Sequence, residues 1–262
     1  MSTEGSNPKT ANLDKMTPDE LAKVIAGENA IAVSATLAAH KDLATAIEWV
    51  AEAFLAGGRI IYVGAGTSAR IAAADAAEMP PTFGVEPGRF IAVVAGNAAT
   101  QAVEGAEDDT AAAEREMAAL DLQPADIVIG ISASGRTPFV LAALAASETR
   151  TIGIANNPGS PLLSVADHAI LLDTGPEVLA GSTRLNAGTA QKIALNTIST
   201  GAMVLAGRVR GNAMSHMTPK NEKLRQRAVG IVASALGIPD EEALHRLEDA
   251  GWNLPAALEA PQ

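Results

Sequence analysis

Residues 59–84 read Arg59-Ile60-Ile61-Tyr62-Val63-Gly64-Ala65-Gly66-Thr67-Ser68-Ala69-Arg70, then an alanine-rich run to Glu78-Met79-Pro80-Pro81-Thr82-Phe83-Gly84. The unbroken apolar run 60–63 is the pattern of a strand covered on both faces. A Gly-Ala-Gly turn follows, and then two hydroxyls at a helix start. Free N–H groups of such a turn and the helix dipole point to one spot, a seat for an anion. The helix is expected over 68–77 and to stop near Glu78, because Pro80 and Pro81 cannot continue it. Glu78 then sits at a helix C-terminus, where the dipole opposes a negative charge, a useful place for a general acid or base.

Outward from this stretch, strand and helix alternate. Strands are expected at 59–63, 90–95, 126–131, 151–155 and 168–172, with helices at 68–77, 97–120, 137–147, 162–166 and 187–206 between and after them. This predicts an α/β fold, a doubly wound and mostly parallel five-stranded sheet. Residues 1–15 are polar and read as a flexible arm. Thr17-Pro18-Asp19-Glu20 looks like a capped helix start, and helical periodicity runs on to Gly57-Gly58. After Gly211 the chain becomes more charged, with short helices at 220–235 and 241–250 and a last turn. The expected layout is an N-terminal arm with helices over 1–44, the α/β sheet domain over 45–210 and a small helical appendage over 211–262.

The 262 residues are 48% hydrophobic but only 3% aromatic, so small aliphatic side chains must fill the core. A net charge of −11 argues against nucleic acid or an anionic membrane as the partner. There is no cysteine, which removes thiolate chemistry and disulfides. No basic start leads into an apolar run, so a cytoplasmic protein is expected.

The second loop of interest, Ser132-Ala133-Ser134-Gly135-Arg136-Thr137, puts three hydroxyls and a glycine directly after a strand. A plain helix cap explains Ser134 or Thr137 but not three hydroxyls together; phosphate does. A dinucleotide fingerprint is only begun by Gly64 and Gly66, since Ala69 stands where its third glycine belongs. Among the acids, the Glu104–Asp109 run taken by itself is a solvated helix face, whereas Glu78 is harder to dismiss. Gly181-Ser182-Thr183-Arg184 with Lys192 adds hydroxyls and two cations, which hold phosphate or pair with acids equally well. The four histidines lack metal-ligand spacing, and no metal or cofactor is expected.

Taken in order, Thr3-Glu-Gly-Ser-Asn7, Gly64-Ala-Gly-Thr-Ser68, Glu78-Met-Pro-Pro-Thr-Phe-Gly84, Glu104-Gly-Ala-Glu-Asp108, Ser132-Ala-Ser-Gly-Arg-Thr-Pro138, Gly181-Ser-Thr-Arg184, Ala187-Gly-Thr-Ala-Gln-Lys192 and Asn221-Glu-Lys-Leu224 closely resemble the N-acetylmuramic acid 6-phosphate etherases, of the sugar isomerase (SIS) fold, flavodoxin-like in its sheet. The resemblance implies cleavage of a lactyl ether by elimination and then hydration, in cell-wall amino sugar recycling. It places the family's proton donor on Glu78 and its other catalytic position on Glu107. It places substrate and phosphate contacts on Gly66, Thr67, Ser68, Glu104, Ser132, Ser134, Gly135, Arg136, Thr137, Ser182, Thr183, Arg184 and Lys192. Ala69, Met79 and Asn186 depart from the family's usual Gly, Cys and Lys, and the tail after Leu236 is short. A non-catalytic sugar-phosphate regulator and an aldose–ketose isomerase of the same fold are the alternatives. About ten residues of helix, roughly 15 Å, separate Ser68 from Glu78, more than a hexose phosphate spans. A homodimer in which Glu78 serves the partner's loops is therefore expected.

Overall fold

The computed structural model describes residues 3–97, 103 and 105–259. Five strands, β1 Ile60–Gly64, β2 Phe90–Val94, β3 Ile127–Ser132, β4 Arg150–Ala155 and β5 His168–Leu171, form one sheet in the order β2-β1-β3-β4-β5. Every pairing is parallel. Successive side chains on a strand point to opposite faces, and the core divides accordingly. Ile60, Tyr62, Ile127, Ile129 and Ile152 pack on one side under α3 (His40–Leu55), α4 (Gly66–Phe83) and α8 (Asn186–Leu205). Ile61, Val63 and Val128 face the other side, under α5 (Thr110–Ala119), α6 (Pro138–Ala145) and α7 (Pro161–Val165). The register pairs Gly130 with Gly153. A Cβ on Gly130 would lie 2.6 Å from Leu144 Cδ1, and one on Gly153 2.7 Å from the Leu162 carbonyl oxygen. Bare backbone at this pair is what lets α6 and α7 settle onto the sheet.

At the amino end of β1, the Arg59 backbone N–H donates to Asp126 Oδ1 at 2.7 Å and the Gln123 N–H to Asp126 Oδ2 at 2.8 Å. Burial pushes the Asp126 carboxyl up, but the Arg59 guanidinium and these backbone donors outweigh it and hold the group below its ordinary value. Two neighbouring strands are thereby tied where they start.

Helix α4 does not end at Glu78. It continues through Pro80 and Pro81 to Phe83 and is closed by Gly84, whose N–H donates to the Pro80 carbonyl at 3.0 Å with φ 60°. The prolines remove two donors and crowd the preceding turn, yet Met79 and Phe83 are buried. Burying two such side chains contributes about 2 kcal/mol each, which offsets a large part of that cost and favours carrying the helix one turn further. Glu78 is consequently an exposed residue inside the helix.

The helix expected over 97–120 is also corrected. Among the described residues of this stretch only Thr110–Ala119 is α-helical, capped by Asp109, which accepts from the Ala112 N–H. Gly96, Asn97 and Gly105 lie at positive φ, which an α-helix does not allow; residues 98–102 and 104 lie outside the described residues.

Nor is the N-terminal arm loose. The Thr3 N–H donates to Asn157 Oδ1 at 2.9 Å, Asn7 Nδ2 to Glu28 Oε2 at 2.9 Å, and Thr10 Oγ1 to the Val178 carbonyl at 2.8 Å. Thr17 caps α1 (Pro18–Glu28) in a reciprocal box with Glu20. Helix α3 runs unbroken through the expected boundary at 44/45, so the N-terminal helices join the sheet domain without a linker. The stretch Pro18–Ala38, α1 with α2 (Ala30–Ala38), is long and apolar enough to cross a membrane by length and composition alone. Its Glu28 is instead buried against Asn7 and ion-paired with Lys9. Helices α9 (Glu222–Leu236), α10 (Asp240–Asp249) and α11 (Leu254–Glu259) close around a cluster of their own that includes Val232, Leu247 and Leu254.

One buried polar knot joins the layer above the sheet. Asp75 on α4 accepts from Tyr62 Oη at 2.8 Å, Asn196 Nδ2 at 2.6 Å and Ser199 Oγ at 3.0 Å, linking β1, α4 and α8. Removing the shared acceptor strands three donors. Asp75→Ala should therefore lower stability by about 2–4 kcal/mol in urea unfolding, and a loss below about 0.5 kcal/mol would contradict the network.

Candidate functional site

The loops after β1 and β3 leave adjacent strands at the carboxyl edge of the sheet, where ligands of open α/β sheets bind. Ala65, extended at φ −125°, leads into α4 without a side-chain cap. The first N–H groups of a helix have no intrahelical acceptor, and here Gly66, Thr67 and Ser68 line the cavity described below. In the second loop, Ser132 Oγ lies 2.8 Å from Thr137 Oγ1 and 3.3 Å from Ser134 Oγ, and it accepts from the Gly135 N–H at 3.0 Å. Three hydroxyls are thus held by one another before any ligand arrives. Gly135 has φ 63°, and a Cβ on it would lie 2.2 Å from Ser160 Oγ, so the turn admits only glycine.

The two loops open onto one cavity of about 270 Å³. Five hydroxyls (Thr67, Ser68, Ser132, Ser134 and Thr137) share its wall with Thr183 and two carboxylate residues, Glu4 and Glu107. The size is near the lower end of small-ligand sites, about 300 Å³. Such a lining offers donors to a phosphate and acceptors to a sugar. Arg70 brings a guanidinium to the edge of the hydroxyl group, donating to Thr67 Oγ1 at 3.3 Å. Other hollows lie elsewhere: one beside Trp49, Asp126 and Arg150 at the amino ends of the strands, one beside Arg225 and Trp252 in the C-terminal helices. Neither gathers the loop hydroxyls. Among the described residues there is no cluster of three His, Cys, Asp or Glu that would hold a metal ion.

The strip carrying Thr183 is set by a buried carboxylate. Glu177, fully buried, accepts from the N–H groups of Asn186 and Ala187 at 2.8 and 2.9 Å and so caps α8. Burial pushes its carboxyl up, against those two backbone bonds. The Gly188 N–H returns to the Thr183 carbonyl at 2.9 Å. Beside this cap Asn186 is buried, and neither of its side-chain amide atoms has a hydrogen-bond partner among the described residues.

Of the residues expected from sequence, the fold brings together Gly66, Thr67, Ser68, Glu107, Ser132, Ser134, Thr137 and Thr183, with Gly135 forming the turn behind them. Glu107 stands on a short 3-10 turn, not a helix face. Arg136, Arg184 and Lys192 are exposed and outside the lining, and Ser182 is half-buried. Glu78 is also outside it, on the exposed side of α4. Glu104 lies outside the described residues. Sequence reading missed Glu4, Arg70 and Glu177, and it missed Asn157, whose amide holds both Thr3 Oγ1 and the Ala133 carbonyl at 2.9 Å. Of these, only Glu4 stood in a recognised motif.

Comparison with known proteins agrees with this architecture. Residues 42–148 match the glucokinase regulatory protein N-terminal SIS domain, and residues 106–201 match the SIS domain. A solved structure, that of the phosphoheptose isomerase from Neisseria gonorrhoeae, superposes with a TM-score of 0.51 at 22% identity, over 71% of this chain and 99% of that one, and so shares the fold. N-acetylmuramic acid 6-phosphate etherases from Deinococcus radiodurans and Geobacillus thermodenitrificans are 46% and 47% identical over 98% of this chain, and 86% and 89% of theirs. At that identity and coverage, the chain belongs to the N-acetylmuramic acid 6-phosphate etherase family.

Proposed function

We propose that this chain cleaves the D-lactyl ether of N-acetylmuramic acid 6-phosphate, giving N-acetylglucosamine 6-phosphate and D-lactate, in cytoplasmic recycling of cell-wall amino sugars. The observation that carries the reading is the single cavity in which five loop hydroxyls meet Glu107. The hydroxyls and the first turn of α4 seat the phosphate, with Arg70 adding positive charge behind Thr67. Arg136 and Arg184, neighbours of lining residues, raise the potential at the rim. With the phosphate fixed, the open-chain sugar reaches toward the carboxylates. A carboxylate base takes the proton on the carbon next to the aldehyde, whose carbonyl accepts the resulting electron density. The double bond then forms as the ether C–O bond breaks, and lactate leaves with its oxygen. Water adds to the same carbon, and the proton returns beside the carbonyl. Glu107 and Glu78 divide this acid and base work.

One chain alone does not supply both groups to one cavity, since Glu78 lies roughly 15 Å along α4 from Ser68. We infer a homodimer in which Glu78 faces the partner's loops. Apolar side chains left exposed on the helices support it: Val33 and Leu37 on α2, 49% and 67% exposed, and Val204 and Leu205 at the end of α8. A regulator that binds sugar phosphate without turnover is the second reading, favoured by the match over residues 42–148.

Incubation with N-acetylmuramic acid 6-phosphate should release D-lactate, and Glu78→Gln should cut kcat by at least about a hundredfold with phosphate affinity near normal. Binding without lactate would favour the regulator; a fully active Glu78→Gln would remove Glu78 from the chemistry. Mixed dimers of Glu78→Gln and Ser132→Ala subunits should regain one working site, whereas activity never above either parent would place the site within one chain.

A further inference from the structure

The hydroxyl loop after β3 is held from behind by two consecutive asparagines of the loop after β4. The Ala133 carbonyl, between Ser132 and Ser134, accepts from the Asn156 N–H at 3.1 Å and from Asn157 Nδ2 at 2.9 Å. Asn156 is fully buried and fixed in turn, its Nδ2 donating to the Leu172 carbonyl and its Oδ1 accepting from Gln191 Nε2, both at 2.9 Å. Asn157 is only half-buried, and what fixes it is the N-terminal arm. Thr3 donates its N–H to Asn157 Oδ1 and accepts from Nδ2 on Oγ1, at 2.9 Å each. Thr3 itself is fully buried, and the arm behind it is anchored where Asn7 meets Glu28 and Thr10 meets the Val178 carbonyl. A side-chain amide held at both its oxygen and its nitrogen has little freedom left to rotate.

A peptide unit is planar, and in the trans form its C=O and N–H point in opposite directions. The peptide joining Ala133 to Ser134 is trans. Two donors holding the Ala133 carbonyl on the β4 side therefore turn the Ser134 N–H the other way. Ser134 stands in the cavity wall, and among the described residues its N–H meets no acceptor. The next two N–H groups are already taken, that of Gly135 by Ser132 Oγ and that of Arg136 by Ser134 Oγ. We propose that Asn157 is a positioning residue: locked by Thr3, it holds the Ala133–Ser134 peptide so that the Ser134 N–H is presented to the phosphate. This rests on the reading of the cavity as a sugar-phosphate site. A backbone donor aimed in advance needs little reordering when the anion arrives. The arm, remote in sequence, thereby serves the phosphate seat through Asn157.

The test is calorimetric titration of the full chain and of Asn157→Ala with N-acetylglucosamine 6-phosphate and with unphosphorylated N-acetylglucosamine. Wild-type binding of the sugar phosphate tests the site reading by itself, and its absence would overturn that reading and this one with it. Given that binding, Asn157→Ala should weaken the sugar phosphate by about fivefold, the loss of about one hydrogen bond, and leave the neutral sugar unchanged. Unchanged affinity for the sugar phosphate would overturn the proposal. So would equal weakening of both ligands, since that marks Asn157 as a general prop of the fold. The wild type carries a second test, independent of how well the variant folds. In its amide NMR spectrum, inorganic phosphate should move the Ser134 amide proton downfield, as a charge-assisted hydrogen bond does. A Ser134 amide that stays in place while phosphate saturates the site would overturn the proposal.

Discussion

Strand β1 lies between β2 and β3, parallel to both, with Gly64 level with Val94 on one side and Ile131 on the other. Everything functional in this chain depends on that placement. Two parallel neighbours must leave the sheet at the same edge, so their two loops emerge side by side although about seventy residues separate them in sequence. The Asp126 carboxylate, taking the N–H of Arg59 and that of Gln123, ties the two strands where they begin. At the other end, Ser132 closes β3 and turns its hydroxyl into the network with Ser134 and Thr137.

The resulting seat is mostly uncharged. In a chain of net charge −11 this is a workable way to hold a dianion: hydroxyls and helix N–H groups concentrate partial charge locally, and a global field decays over about a Debye length of 8–10 Å. Cations stand at one remove, with Arg70 reaching Thr67 and Arg136 and Arg184 exposed beside the lining. Two carboxylate residues share the lining, Glu107 on its turn and Glu4 on the arm. Such a division suits a substrate that is anionic at one end and rich in O–H and N–H groups at the other.

The sheet was legible in the sequence because each buried strand is a short apolar run between glycine or polar breaks, as 60–63 and 127–131 show. Three features were not, for reasons that are physical. The penalty of Pro80 and Pro81 is local and readable, but the burial of Met79 and Phe83 that offsets it is tertiary. Residues 97–109 carry helix-forming alanine and glutamate, yet Gly96, Asn97 and Gly105 at positive φ turn the backbone away from a helix. The arm is polar in composition, and its order comes from Asn157, 154 positions away from Thr3. The lining of the cavity was legible where a motif sat on a strand end, as at Thr67 and Ser132. It was not where a residue acts through a distant partner, as Glu177 does in capping α8 and Asn157 in pinning Thr3.

The central claim, that the hydroxyl loop after β3 is the phosphate seat, is tested most directly by measuring the affinities of N-acetylglucosamine 6-phosphate and unphosphorylated N-acetylglucosamine for the wild-type chain and for Ser132→Ala. The wild type should prefer the phosphorylated sugar by about a hundredfold or more. Ser132→Ala should reduce that preference at least about tenfold, or about 1.4 kcal/mol, while leaving the neutral sugar unaffected. A Ser132→Ala chain that keeps the full preference would contradict the account.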